Sequence, residues 1–270
     1  MGGHIFPVSG AGFSIPRVDR VPRSAAGNVN ERDARVATAA PRIPWADFYR
    51  ELDWNQGEHV ALIGPTGSGK TSLLISLLNL RTYVAVLATK PRDSTMDYLI
   101  ANGYQRFEKW ENASPKQSPK RVIWPDARSI DSEEIQTKAF RDMYGAIYRE
   151  GGWCLVVDEG FIIADSLGLK REMRQVWTQG RSIGITQVVA TQRPRWVPTE
   201  MYDQSTHLFF WQNSDNRMLD VIGDINGRDS RQVKEIVANL DRFQVLYVNT
   251  RSGKMCRTTP PPPGFDTTGR

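Results

Sequence analysis

The sequence predicts an α/β domain built on a mainly parallel sheet sandwiched by helices. Two observations carry that prediction. Short, continuous apolar runs alternate with segments of helical apolar spacing, the pattern of strands buried on both faces. Several of those runs end in polar or charged residues, as strands do at the carboxyl edge where open parallel sheets bind ligands.

Residues 1–42 mix Gly, Pro, Ser, Ala and Arg with few large apolar side chains, and read as a flexible N-terminal arm. The folded domain is expected over 43–257. Within it, 59–63 reads as a strand and 70–80 as a helix. Leu73, Leu74, Ile75, Leu77, Leu78 and Leu80 cover most of that helix, so it should be largely buried. Residues 83–88 read as a strand and 121–124 as a short one. The spacing of Ile135, Phe140, Met143, Ile147 and Tyr148 predicts an amphipathic helix over 132–149. Further strands are expected at 153–157, 187–191 and 208–211, and helices at 215–222 and 230–240. A strand over 243–248 is followed by the turn signal Ser252-Gly253, which predicts a closing hairpin. Residues 258–270 include Pro260 to Pro263 and read as a Pro-rich, extended C-terminal tail.

Composition narrows the class. The chain has 270 residues, and 40% of them are apolar, which suits one large domain with a real core. No apolar run approaches the roughly 20 residues of a membrane span. No basic segment followed by an apolar one opens the chain, so a soluble, cytoplasmic protein is expected. Two cysteines and three scattered histidines make neither a disulfide scaffold nor a metal site. The net charge of +5 permits a nucleic-acid partner without requiring one. Lys170, Arg171, Arg174, Arg181, Arg193 and Arg195 fall in one stretch where Glu172 is the only acid; it is either a solvated face or a phosphate-gripping one.

The chemistry starts after the first strand. Gly64-Pro65-Thr66-Gly67-Ser68-Gly69-Lys70-Thr71 fits G-x-x-x-x-G-K-[ST] at every fixed position. A triphosphate needs several donors converging on its oxygens, and a tight loop can turn its backbone N–H groups inward. Gly67 and Gly69 allow that wrap. The helix opening at Lys70 adds its dipole, the Lys70 ammonium reaches the β- and γ-phosphates, and the Thr71 hydroxyl completes a magnesium shell. ATP and Mg2+ are therefore the expected cofactors.

The run 154–157 ends in Asp158 and Glu159. Charges inside a buried strand would be very unfavourable, but at its carboxyl end they face the ligand crevice. Asp158 is placed to hold magnesium through water, and Glu159 to polarise the attacking water. The next apolar run ends at Thr191-Gln192-Arg193-Pro194, where Gln192 could sense the γ-phosphate or position water.

At these residues the chain resembles the FtsK–HerA superfamily of DNA pumps. The resemblance rests on Asp158-Glu159, Gly180-Arg181, Gly184-Ile185 and Ala190-Thr191-Gln192-Arg193-Pro194, with Gly57-Glu58-His59 before the phosphate loop. It covers about 54–250. It implies a P-loop NTPase fold of the additional-strand, RecA-like type, and a homo-oligomeric ring, commonly a hexamer. It also implies sites between subunits, each completed by an arginine from the neighbour. Arg181 matches that position best, with Arg174 as the rival. Membrane helices, a winged helix and an N-terminal barrel, which many members carry, are not evident. A minimal motor remains, most similar to small viral packaging ATPases.

The leading expectation is an ATP-driven translocase of double-stranded DNA, without sequence preference, that packages a viral genome. Its location would be the host cytoplasm or the virion, with a capsid or portal as partner. Alternatives are a conjugation, secretion or DNA-repair pump whose partner supplies a membrane or barrel part, and a slow nucleotide switch or scaffold. A small-molecule kinase would need a lid, for which only 91–120 leaves room.

Overall fold

Strand β1 (His59–Ile63) is buried at every residue and alternates its side chains between two apolar layers. Val60 and Leu62 join one layer, Ala61 and Ile63 the other. The same division holds for β2 (Val84–Leu87) and β5 (Cys154–Val157), so the sheet is covered on both faces. This computed structural model describes residues 40–112, 114–126, 128–225 and 230–262.

Nine strands form one sheet in the order β3-β4-β2-β5-β6-β1-β7-β8-β9. The remaining strands are β3 (Gln105–Phe107), β4 (Lys120–Ile123), β6 (Thr186–Thr191), β7 (Ser205–Trp211), β8 (Val245–Asn249) and β9 (Met255–Thr258). Pairing is parallel from β3 through β7 and antiparallel for β7–β8–β9. Strand β6 is inserted between β1 and β5, which is the additional strand that the resemblance implied. The loop after β1 and the acids after β5 therefore sit at the same carboxyl edge, two strands apart.

The helices are α1 (Trp45–Glu51), α2 (Lys70–Leu78), α3 (Ser94–Ala101), α4 (Ser132–Glu150), α5 (Lys170–Gln179), α6 (Glu200–Asp203), α7 (Asn216–Ile225) and α8 (Ser230–Ala238). Helix α2 buries Leu73, Leu74, Ile75, Leu77 and Leu78, as an almost wholly apolar helix must. It ends two residues before Leu80, because the Leu80 and Arg81 amides bond three residues back and turn the chain towards β2. In α4 the buried stripe is Gln136, Ala139, Phe140, Met143 and Ile147, while Ile135 faces outward. Residues 91–120, the room left for a lid, hold α3 and the edge strand β3.

Both ends of the domain are tied to the sheet. Ala40 is fully buried, the Ile43 amide donates to Arg257 O (2.8 Å) and the Arg257 amide to Pro41 O (2.8 Å). The expected boundary at 257/258 falls inside β9, whose Thr258 is fully buried. Residues 1–39 and 263–270, most of the expected arm and tail, lie outside the described residues. At the amino edge, buried Glu58 accepts from Arg251 Nη1 (2.7 Å), contacts His207 Nε2 (3.1 Å) and caps the Asn55 amide (2.9 Å). That one carboxylate ties the start of β1 to β7 and to the β8–β9 turn.

Candidate active site

The phosphate loop leaves β1 at Ile63, and its first amide, Gly64 N, donates to Thr191 O at the end of β6 (3.2 Å). Gly67 and Gly69 take left-handed backbone conformations, φ 73° and 103°, that other residues adopt only under strain. Gly69 is the N-cap of α2, so the first helical residue is Lys70 and the free N–H groups of the first turn point at the loop. Lys70 Nζ donates to Gly64 O (2.7 Å) and Pro65 O (2.8 Å), folding the ammonium over the loop. Burial pulls its pKa below the ordinary lysine range, and the nearby Glu159 and Asp158 carboxylates oppose that shift.

Asp158 and Glu159 follow β5 directly. Burial raises the pKa of both carboxyls; Lys90 and Lys70 counteract it at Asp158, and Lys70 foremost at Glu159. Glu159 is further held by polar groups from the end of β6. Gln192 Nε2 donates to Glu159 Oε2 (3.2 Å), and the Thr191 hydroxyl lies 3.5 Å from Oε1. On its other side the Gln192 carbonyl accepts from the Thr66 hydroxyl. Loop, glutamine and acid thus form one chain of contacts across the crevice.

These groups surround a cavity of about 640 Å³ lined by Thr66, Gly67, Gly69, Lys70, Thr71, Asp158, Glu159 and Gln192. It joins eight of the expected site residues. Gly64, Pro65 and Ser68 complete the loop around it. Two further parts of its wall were not expected. Lys90, at the end of β2 and paired with Asp93 (3.5 Å), lines it. So do Phe243, Thr259, Pro260, Pro261 and Pro262. Phe243 was expected in a strand; it precedes β8 and has φ 65°, outside any strand geometry. The sequence signal for the prolines was present, but nothing in a proline run says which surface it crosses.

Arg181 is not in this cavity. It lies on a short 3-10 helix (Gly180–Ile183) before β6, with its carbonyl against Gly57, just before β1. It therefore stands at the amino edge of the sheet, a strand's length of roughly 16 Å from the phosphate loop. Arg174, on α5, pairs with Glu200 at 2.7 Å. Among the described residues Arg181 makes no ion pair.

The basic stretch is not one surface. Strand β6 separates Arg181 at one sheet edge from Arg193 and Arg195 at the other. Arg193 stacks on Phe161 (4.9 Å), and the exposed Trp196 meets the same ring edge-on (5.7 Å). Trp177 is buried against His59 and is a core residue. Among the described residues no helix is long and apolar enough to cross a membrane, and no cluster of three His, Cys, Asp or Glu side chains could hold a metal alone.

Neither a family model nor a curated protein matches the sequence. Solved structures do match in fold. The DNA-packaging ATPase B204 of Sulfolobus turreted icosahedral virus superposes with a TM-score of 0.58 at 17% identity, over 77% of this chain and 100% of that one. The genome-packaging NTPase B204 of Sulfolobus turreted icosahedral virus 2, in complex with ATP-gammaS, gives 0.55 at 16% identity, over 77% and 99%. VirB4 of Thermoanaerobacter pseudethanolicus gives 0.57 at 9% identity, over 78% and 91%. The chain thus shares its mainly parallel, phosphate-loop α/β fold with these structures.

Proposed function

We propose that this chain is an ATP-hydrolysing motor that moves double-stranded DNA, acting as a homo-oligomeric ring in viral genome packaging. The observation that carries the reading is the Glu159 carboxylate, hydrogen-bonded by Gln192 in the cavity that the phosphate loop lines. A loop that only binds nucleotide needs no base; an acid oriented at the γ-phosphate end supports hydrolysis. The fold shared with packaging ATPases supports the same reading.

The residues divide the work as follows. Loop amides and the α2 terminus hold the phosphates, and Lys70 exchanges its two carbonyl bonds for phosphate oxygens. Thr71 and Asp158 line one cavity, and their hydroxyl and carboxylate oxygens are the groups that would hold Mg2+. Magnesium, when bound, neutralises charge on the transferring phosphoryl group. Glu159 takes the proton of the attacking water. Gln192 links that acid to Thr66 and opens the segment carrying Arg193 and Trp196, a route from nucleotide to a DNA-facing surface. Those exposed groups suit sequence-independent contact with phosphates.

The test is ATP hydrolysis with and without long double-stranded DNA, for wild type and Glu159→Gln. DNA-stimulated turnover that the variant abolishes is expected. Turnover indifferent to any DNA would reject the DNA motor and favour a pump acting on another partner.

A further inference from the structure

The cavity is larger and more apolar than a triphosphate needs. Its volume of about 640 Å³ is of the size that encloses a whole nucleotide. Beside the phosphate loop, Lys90, Asp158, Glu159 and Gln192, its wall includes Phe243, Thr259, Pro260, Pro261 and Pro262. We propose that Phe243 and these three prolines clamp the base of a purine nucleoside triphosphate by stacking, without distinguishing adenine from guanine. The proposal rests on the reading of Gly64 to Thr71 as a triphosphate loop.

Four features support it. Phe243 is a large aromatic side chain left 42% exposed on the cavity wall. It is also the one described non-glycine residue with a left-handed backbone, a conformation that costs free energy and needs a compensating use. Its ring edge reaches the start of α2: a Cβ placed on Gly69 would lie 3.8 Å from Phe243 Cδ1. A base stacked there is one ribose away from phosphates held by the same loop. The Arg242 guanidinium carbon, 4.7 Å from the ring centroid, packs on the aromatic ring and fixes its orientation.

The prolines line the same cavity as Phe243. They follow directly from β9, and Pro260 is buried. Their fixed φ keeps the wall in shape before any base arrives, so little ordering entropy is lost on binding. Phe243 and the three prolines carry no side-chain hydrogen-bonding group, and the neighbouring Thr259 carries one hydroxyl. Base edges are told apart by hydrogen bonds, whereas stacking accepts any flat ring. Such a wall grips adenine and guanine alike.

The experiment measures binding of ATP, GTP and inorganic tripolyphosphate, each with Mg2+, to wild type and Phe243→Gly. Glycine removes the ring and also relieves the left-handed backbone, so the variant should fold at least as well. Wild type is expected to bind ATP and GTP within about threefold of each other and both more tightly than tripolyphosphate. The variant should lose ATP and GTP affinity on the order of ten- to a hundredfold while keeping tripolyphosphate affinity. Unchanged ATP affinity in the variant would overturn the clamp and leave the phosphate site standing. Strong preference of wild type for one purine would overturn the base tolerance. Wild type that binds neither ATP nor tripolyphosphate would overturn both the clamp and the triphosphate loop.

Discussion

Gln192 donates its amide N–H to Glu159 Oε2 across 3.2 Å, and these two residues follow the paired strands β6 and β5. The bond favours the charged carboxylate, while burial favours the neutral acid. A general base must be deprotonated, so hydrolysis should fail as pH falls through the Glu159 pKa. Gln192→Ala removes a group that holds the pKa down. Its acid limb should therefore move to higher pH than that of wild type. Loss of orientation should also lower kcat on the order of a hundredfold, with nucleotide affinity changed by less than about threefold. A pH–rate profile with an unmoved acid limb would deny Gln192 this role.

Gly160 fixes where that acid stands. A Cβ added there would lie 2.5 Å from Val189 Cγ1 and 3.1 Å from Val197 Cγ1. Valine is stiff at χ1 and cannot swing away freely. Gly160→Ala should destabilise the fold by roughly 1–3 kcal/mol, the usual cost of overpacking, and displace Glu159 enough to suppress hydrolysis. Adding Val189→Ala makes room on the β6 side. Thermal melts of the single and double variants check this: the double variant should recover stability that Gly160→Ala loses.

His59 makes stability depend on pH. It is buried at the start of β1, accepts the Gln187 amide at Nδ1 (3.0 Å) and packs edge-on against Trp177 (4.7 Å). Burial lowers its pKa from 6.5 to about 4. The unfolded chain therefore takes up a proton near pH 6.5, while the folded chain resists until about 4. The stability is present above 6.5 and falls as pH drops through that window. At about 1.4 kcal/mol per decade, the loss from this group between pH 7 and 4 is roughly 3 kcal/mol. Asp158 and Glu159, with raised pKa values, push the other way. Comparing urea unfolding of wild type with the non-titrating His59→Gln isolates the histidine: the gap in stability should narrow as pH falls.

The parts legible in the sequence were those that bury apolar surface in a regular period. Strands β1, β5 and β6 are unbroken apolar runs, and the phosphate loop and the acids are anchored to their ends. Strand β3 has three residues and two exposed side chains, so it carries no period to read. Helix α3 was not read from the sequence: it is capped by Asp93 Oδ1, which accepts the Thr95 amide (2.9 Å), and its eight residues bury just Met96 and Leu99, too few to show a period. Phe243 was drawn into β8 because an aromatic beside a strand run fits the pattern; its left-handed backbone is invisible in composition. Residue spacing along the chain also could not reveal that Arg181 and Arg193 sit at opposite ends of β6.

The position of Arg181 separates two models of the site. It stands at the amino edge of the sheet, opposite the phosphate loop, so no side-chain rotation brings it into its own cavity. Either it acts on a neighbour's nucleotide in a ring, or it has no part in hydrolysis. Arg174 is already neutralised by Glu200 and is the weaker candidate. If Arg181 acts in trans, Arg181→Ala should lower kcat roughly a thousandfold and leave ATP binding intact. Glu159→Gln should be inactive for a different reason, the missing base. Mixing the two inactive proteins creates interfaces where an intact Glu159 from one meets an intact Arg181 from the other. Hydrolysis should then reappear in the mixture, rise with the time allowed for subunit exchange, and be absent from either protein alone. A mixture that stays inactive although exchange is shown by fluorescence transfer between labelled subunits would remove Arg181 from the shared site. Arg174→Ala in the same mixing scheme, with Glu200→Ala as the control for loss of the ion pair alone, would then decide whether the rival completes it.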